Sequence, residues 1–302
     1  MSSTAMTPLA VRLLRGDPRL RRRRALNRSM EAGATMAALA AVAVLGIVIV
    51  SVLARGAGAI NIDFFIHSEV PFGDSGGGIA NAIVGSAVLV ALASAMAVPV
   101  GILIGIHASE FARPRTSAVV RLALDILNGV PTIVTGIFIF GLLIYGGHQQ
   151  SGFAGALALA IVMLPIVARA AQEVLALVPS TLKEGALALG ATRWRTVVRV
   201  VLPTAAGGLL TGALLAVARV AGETAPLLFT SSILTGTGVS TNPGQALASI
   251  PFRIYQLAEG TSPAEHEEAW AAALLLIFLV LALNVIARAV YGRASARIRR
   301  AQ

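Results

Sequence analysis

Long stretches of this chain carry no charge at all, and that limits what it can fold into more than any other feature. Residues Ala32 to Ala54 form an uncharged run of 23. At ~1.5 Å per residue, a helix of that length crosses the ~30 Å of hydrocarbon in a bilayer. Further apolar runs fall at about 79–106, 122–145, 153–171, 203–229 and 269–287. A chain in lipid must satisfy its own backbone hydrogen bonds, so runs of this length read as membrane-spanning helices. Composition agrees: 56% of residues are hydrophobic and 13% charged, about half the charged share of a soluble domain. The expected fold class is an all-α polytopic membrane protein with six transmembrane helices.

Composition also excludes several kinds of chemistry. The chain has no cysteine, which removes disulfides, thiol catalysis and thiolate metal sites. His67, His107, His148 and His266 are scattered without ligand spacing, and no metal or other cofactor is expected. No GxxxxGK[ST] loop occurs, and Lys183 is the only lysine. Any ATP chemistry must therefore sit on another chain.

The net charge of +10 is unevenly placed. Eight arginines precede the first run, between Arg12 and Arg28, as a cluster facing cytoplasm and anionic lipid would. This placement argues for membrane lipid as the partner of the basic face and against nucleic acid. Of 24 basic residues, only Arg55, just past the first span, and Arg253, in the outer segment 235–263, are read as outer, and Arg219 falls inside a span. The positive-inside rule then places both termini in the cytoplasm. Ala57-Gly58-Ala59 has the form of a signal-peptidase site, but the apolar run and the basic region before it are too long for a signal peptide, so the first span reads as uncleaved. In the first outer segment, Phe64, Phe65, Ile66 and Phe72 suggest a piece lying against the membrane surface.

Between the fourth and fifth spans lies Glu184 to Pro203, EGALALGATRWRTVVRVVLP, with Glu184, Arg193, Arg195 and Arg199. Charges this dense cannot lie in hydrocarbon. Gly190 is suited to end a helical turn in the left-handed region. Trp194, Val197, Val198 and Val201 recur at helical spacing and predict a second amphipathic helix leading to Leu202 and Pro203. The expected form is a helix–glycine–helix knob outside the membrane. Glu184, Gly185, Ala186, Gly190, Val200, Leu202 and Pro203 resemble the EAA loop of ABC importer permeases, with Gly185 where alanine is usual. That resemblance implies a type I ABC importer permease fold whose coupling helices dock in a cleft of a cytoplasmic ATPase.

Arg219 and Glu223 stand four apart within the fifth span and are expected on one helix face. Ionisable groups at such depth usually face a cavity or a partner. Arg219 could grip an oxyanion with two parallel hydrogen bonds, and Glu223 could neutralise it when the site is empty. The alternative is a buried ion pair that only fixes packing. The run Arg219 to Thr230, with GETAPLLFT from Gly222, resembles the segment characteristic of permeases of phosphate-specific ABC importers, in particular the PstA type. Asn128-Gly129-Val130-Pro131-Thr132-Ile133-Val134-Thr135-Gly136 is similar to a second run of the same permeases, with Thr132 in place of the usual serine. The candidate substrate path is therefore Arg219, Glu223, Thr224, Asn128 and Thr132. Pro99, Pro131, Pro165 and Pro226 are expected to bend or interrupt four of the spans, and Asp125 to lie near the inner end of the third.

The chain divides into an Arg-rich cytoplasmic segment (1–31), a first span and outer segment (32–78), a permease core (79–287) and a basic cytoplasmic tail (288–302). The resemblance implies import of inorganic phosphate across the bacterial cytoplasmic membrane. The implied partners are a second related permease, two copies of an ATPase subunit and an extracytoplasmic phosphate-binding protein. Alternatives are a permease for another oxyanion, the sister phosphate permease, an ion-coupled transporter acting alone, or a membrane-embedded sensor.

Overall fold

A computed structural model describes residues 18–69, 77–147, 149–232 and 238–300. Phe72, Asp74, Gly76, His148, Thr235 and most of the Arg-rich start lie outside the described residues. The chain forms two compact units, divided after Ala54. Helix α1, Pro18–Gly56, makes up the described part of the first unit and contains the 23-residue uncharged run. Its apolar side chains, such as Val42 and Ile47, are exposed on all sides, as suits a helix whose solvent is lipid.

The second unit contains the remaining helices, and among the described residues there is no strand. In order they are α2 (Ile62–Ile66), α3 (Ala80–Ile106), α4 (Pro114–Gly129), α5 (Thr132–Leu143), α6 (Gly152–Ala176), α7 (Ser180–Ala188), α8 (Arg193–Thr196), α9 (Leu202–Val220), α10 (Ala225–Thr230), α11 (Ile250–Glu259) and α12 (Pro263–Arg300). Two π-helical turns, His107–Phe111 and Val197–Val201, extend α3 and join α8 to α9. Among the described residues, five helical stretches are long and apolar enough to cross a membrane, or six if α4 and α5 count as one span.

The centre is the parallel pair α3 and α6. On α3 the buried residues Gly85, Leu89, Ala93, Ala97, Gly101 and Gly105 recur every four positions. Such a stripe of small residues lets two backbones approach closely, the main way helices gain contact in lipid. A Cβ at Gly101 would lie 2.9 Å from Val167 Cβ, and one at Gly105 would lie 2.5 Å from Ala171 Cβ. Leu159, Met163, Ala216, Val220 and Leu227 complete this core.

The third span is interrupted at Pro131, as its sequence predicts: α4 and α5 meet at 94°. Pro131 disfavours the helical region for the residue before it, and Val130 is extended, with φ −69° and ψ 127°. By contrast, Pro99 and Pro165 sit inside continuous helices, so only Pro131 and Pro226 accompany real breaks. The first outer segment is not merely laid on the surface. Phe64 is buried against Ile79, Ala82, Ile250 and Ala271, while Phe65 and Ile66 remain exposed.

The second outer segment is likewise built in. Helix α11 is capped by Ser249, and the N–H of Ile250 donates to Ser86 Oγ at 2.8 Å. Its Arg253 is buried between Glu268 (3.2 Å) and Glu69 (3.6 Å). Burial holds the Glu69 carboxyl above the ordinary carboxylate range and Glu268 adds to this, while Arg253 and a hydrogen bond from Asn81 pull it back down.

Candidate functional site

Helix α7 begins after Pro179 and carries Glu184, Gly185 and Ala186. It ends as its sequence predicts. Gly190 has φ +84°, a region that costs a residue with a Cβ about 1–2 kcal/mol. The N–H of Ala191 donates to the Ala186 carbonyl at 3.1 Å, and that of Gly190 to Leu187 at 2.9 Å. These are the paired bonds of a glycine C-cap, which satisfy carbonyls the helix end would leave bare. Thr192 then caps α8, its hydroxyl accepting the Arg195 N–H.

The second half of the loop is not free-standing. From Arg193 the chain is helical through to Val220, with the π-turn set just before Pro203. Proline offers no N–H and its ring crowds the carbonyl four residues back. In the wider turn the N–H of Leu202 bonds to Val197, five residues back, and Thr204 Oγ1 donates to the Val200 carbonyl. Leu202 is half-buried against the cluster of Val197, Val201 and Ala205, while Pro203 is exposed. A push on α8 is therefore a push on the end of α9. Glu184 is exposed, as are Leu182, Leu187, Leu189 and Trp194, with Leu189 91% exposed.

At the far end of α9, the fold brings together three of the five residues expected to form the substrate path. Arg219, Asn128 and Thr132 line a cavity of about 60 Å³, joined by Thr135 and walled by Ile161, Val162 and Ile166 of α6. The α4–α5 elbow makes this possible, because it carries Asn128 and Thr132 on its two arms. Thr135, one turn along α5, was not singled out as a site residue. The spacing Thr132-x-x-Thr135 on a helix is the signal that could have found it.

Glu223 is placed elsewhere. Helix α9 stops at Val220, and the chain turns with Gly222 N–H on the Arg219 carbonyl and Glu223 N–H on that of Val220. The four-residue spacing therefore does not put Arg219 and Glu223 on one face. The helix ends at Val220, between the two residues, and Pro226 belongs to the first turn of the next helix. Among the described residues the two form no ion pair with each other. Glu223 lines a separate gap of about 10 Å³ with Ser86 and Ser249. Thr224 turns its carbonyl to the N–H groups of Leu227 and Leu228 and starts α10. Asp125 is exposed on α4 and pairs with Arg169 of α6.

The two sequence runs that carry the phosphate-permease resemblance pack on each other. Helix α5 crosses α10 at Gly136, where a Cβ would stand 2.8 Å from Pro226 Cα. A family model described as a binding-protein-dependent transport system inner membrane component matches residues 97–300. The phosphate transport system permease protein PstA of Yersinia pestis is 38% identical over 247 residues, covering 82% of this chain and 83% of that one. PstA of Xylella fastidiosa is 39% identical over 276 residues, covering 90% and 95%.

The chain belongs to the PstA family of permeases.

The family fold extends to more distant structures. An amino acid ABC transporter matches with a TM-score of 0.55 at 19% identity, covering 71% of this chain and 92% of that one. A bacterial alginate ABC transporter matches with 0.58 at 16%, covering 88% and 93%. The architecture is therefore that of a type I ABC importer permease, an inner membrane component with several crossings. Within it, this PstA-family chain places an arginine, an amide and two hydroxyls around one small cavity.

Proposed function

We propose that this chain carries inorganic phosphate into the cell as one permease half of an ABC importer, driven by ATP hydrolysed on a separate chain. The observation that carries the reading is the Arg219 cavity. Arg219, Asn128, Thr132 and Thr135 line it together with apolar residues of α6. A guanidinium offers two parallel donors to a tetrahedral oxyanion. Threonine hydroxyls and the asparagine amide both donate and accept. An acceptor matters because monohydrogen phosphate brings a proton and sulfate does not. That role falls to Asn128, Thr132 or Thr135 rather than to Glu223, which faces the other gap.

Arg219 is exposed in the single chain, as fits a path completed by a second, related permease. The exposed Glu184–Trp194 surface is the place for an ATPase subunit, two copies serving the pair of permeases. An extracytoplasmic phosphate-binding protein delivers the anion at the opposite end. The basic start and tail hold both termini on the cytoplasmic side. Closure of the ATPase dimer presses on α7 and α8, and the continuous helix from Arg193 carries that motion to Arg219. No bond in the solute changes.

The test is ATP hydrolysis by the complete complex in liposomes, with loaded binding protein added outside. Phosphate should stimulate hydrolysis and sulfate should not. Equal stimulation by sulfate would overturn the choice of anion. Transport by this chain alone, without any ATPase, would overturn the mechanism.

A further inference from the structure

The chain's only lysine, Lys183, stands one residue before Glu184, and its partner comes from a different part of the molecule. Lys183 Nζ donates to Glu110 Oε1 at 2.6 Å, and Glu110 is 7% exposed. Glu110 sits in the π-turn His107–Phe111 that extends α3. Its neighbour Phe111 reaches the other half of the coupling loop. The Phe111 ring lies 6.0 Å from the Trp194 ring, and the Arg193 guanidinium lies over it at 5.7 Å. Two adjacent residues of one turn thus hold both α7 and α8, one through a charge and one through a ring.

The same turn is tied inward. Ile106 and Phe111 pack with Ala171, Leu175, Val178, Val197 and Val201. Three residues beyond Phe111 the chain enters α4, the arm that carries Asn128 to the cavity. The turn has π geometry, with the Ala112 N–H bonded to the His107 carbonyl five residues back. Wide turns of this kind are frequent at functional sites. Here one is inserted where α3 meets the loop expected to move.

We propose that Glu110 and Phe111 are positioning residues for coupling: they pass displacement of the loop at Glu184 to α3 and, through α4, to the elbow carrying Asn128 and Thr132. The cavity then receives the ATP-driven motion along two routes. The helix from Arg193 moves Arg219, and the π-turn moves the arms facing it. The ends of the cavity shift relative to each other, as a site that changes its open side requires. This inference rests on the transport reading above.

The experiment uses the complete complex in liposomes with Glu110→Gln, Lys183→Gln, the double variant and Phe111→Leu. The readouts are assembly, ATP hydrolysis without substrate, and phosphate taken up per ATP. Because the chain has no cysteine, Ile126→Cys on the exposed face of α4 gives an independent readout, the ATP-dependent change in thiol labelling. Each single variant should assemble, keep hydrolysis without substrate and lose about fivefold or more of its uptake per ATP. The double variant should be no worse than either single, since both remove the same link. The labelling change at Ile126→Cys should disappear in the Glu110→Gln background.

Uptake per ATP and labelling unchanged in both Glu110→Gln and Phe111→Leu would overturn the proposal. So would a loss of assembly in Glu110→Gln with normal uptake per ATP in the complexes that do form. If the parent ignores phosphate yet shows the labelling change, and Glu110→Gln abolishes it, the substrate assignment fails and the coupling route stands. No labelling change on ATP in the parent would overturn the coupling route itself.

Discussion

Adding one methyl group at Gly136 should loosen the contact between the two runs that build the substrate path. An alanine Cβ there would lie 2.8 Å from Pro226 Cα and 2.9 Å from its carbonyl oxygen. Carbon contacts are comfortable at about 3.5–4.0 Å, so α5 and α10 must separate by roughly half an ångström or more. The obstacle is backbone and cannot swing aside as a side chain would. Forced overpacking of this kind costs about 1–3 kcal/mol. Alanine also gains about 1 kcal/mol over glycine in a helix, which would mask part of the loss. Gly141, on the same helix, supplies the control, because nothing lies within 4 Å of a Cβ built there. The difference between Gly136→Ala and Gly141→Ala cancels the propensity gain and leaves the overlap. At about 2–4 °C per kcal/mol for a chain of this size, the midpoints of thermal unfolding should differ by about 2–12 °C. Gly136→Ala should also lower phosphate uptake, because Thr132 and Thr135 move with α5. If Gly136→Ala matches Gly141→Ala in both stability and uptake, the crossing of α5 and α10 is not as close as described.

Two further outcomes follow from the loop and from the outer end. Gly190→Ala, at φ +84°, should distort the α7 cap at a cost of about 1–2 kcal/mol and reduce uptake per assembled complex. Gly185→Ala, with open space around its Cβ, should leave uptake intact. Glu69 is held above the ordinary carboxylate range by burial, so between its unfolded and folded values the folded chain binds more protons than the unfolded one. Stability should therefore fall as pH rises through that window. Glu69→Gln should flatten this slope in unfolding curves taken at a series of pH values, and an unchanged slope would count against the assignment.

The parts legible in the sequence are those where a local rule acts alone. Gly190 takes the left-handed conformation because the helix end leaves no other easy choice, and the uncharged runs become helices because lipid offers no other partner for the backbone. The runs at Asn128–Gly136 and Arg219–Thr230 point by sequence alone to the region of the cavity. Pairings between distant segments were less legible. The Arg219–Glu223 spacing assumes an unbroken helix, but the helix ends between them at Val220. The α4–α5 elbow follows from Pro131, yet Pro99 and Pro165 carry the same residue without a break, because tight packing of α3 on α6 holds those helices together. The burial of Arg253 between Glu268, 15 residues on, and the distant Glu69 joins three segments that no spacing rule connects.

Phosphate uptake by the complete complex, with Arg219→Ala beside the parent and Glu223→Gln, tests the role of Arg219 most directly. With assembly and substrate-free ATP hydrolysis held constant, Arg219→Ala should lose uptake, while Glu223→Gln should retain much of it because Glu223 faces a separate gap. Full uptake in Arg219→Ala would contradict the account and leave Arg219 a residue of packing.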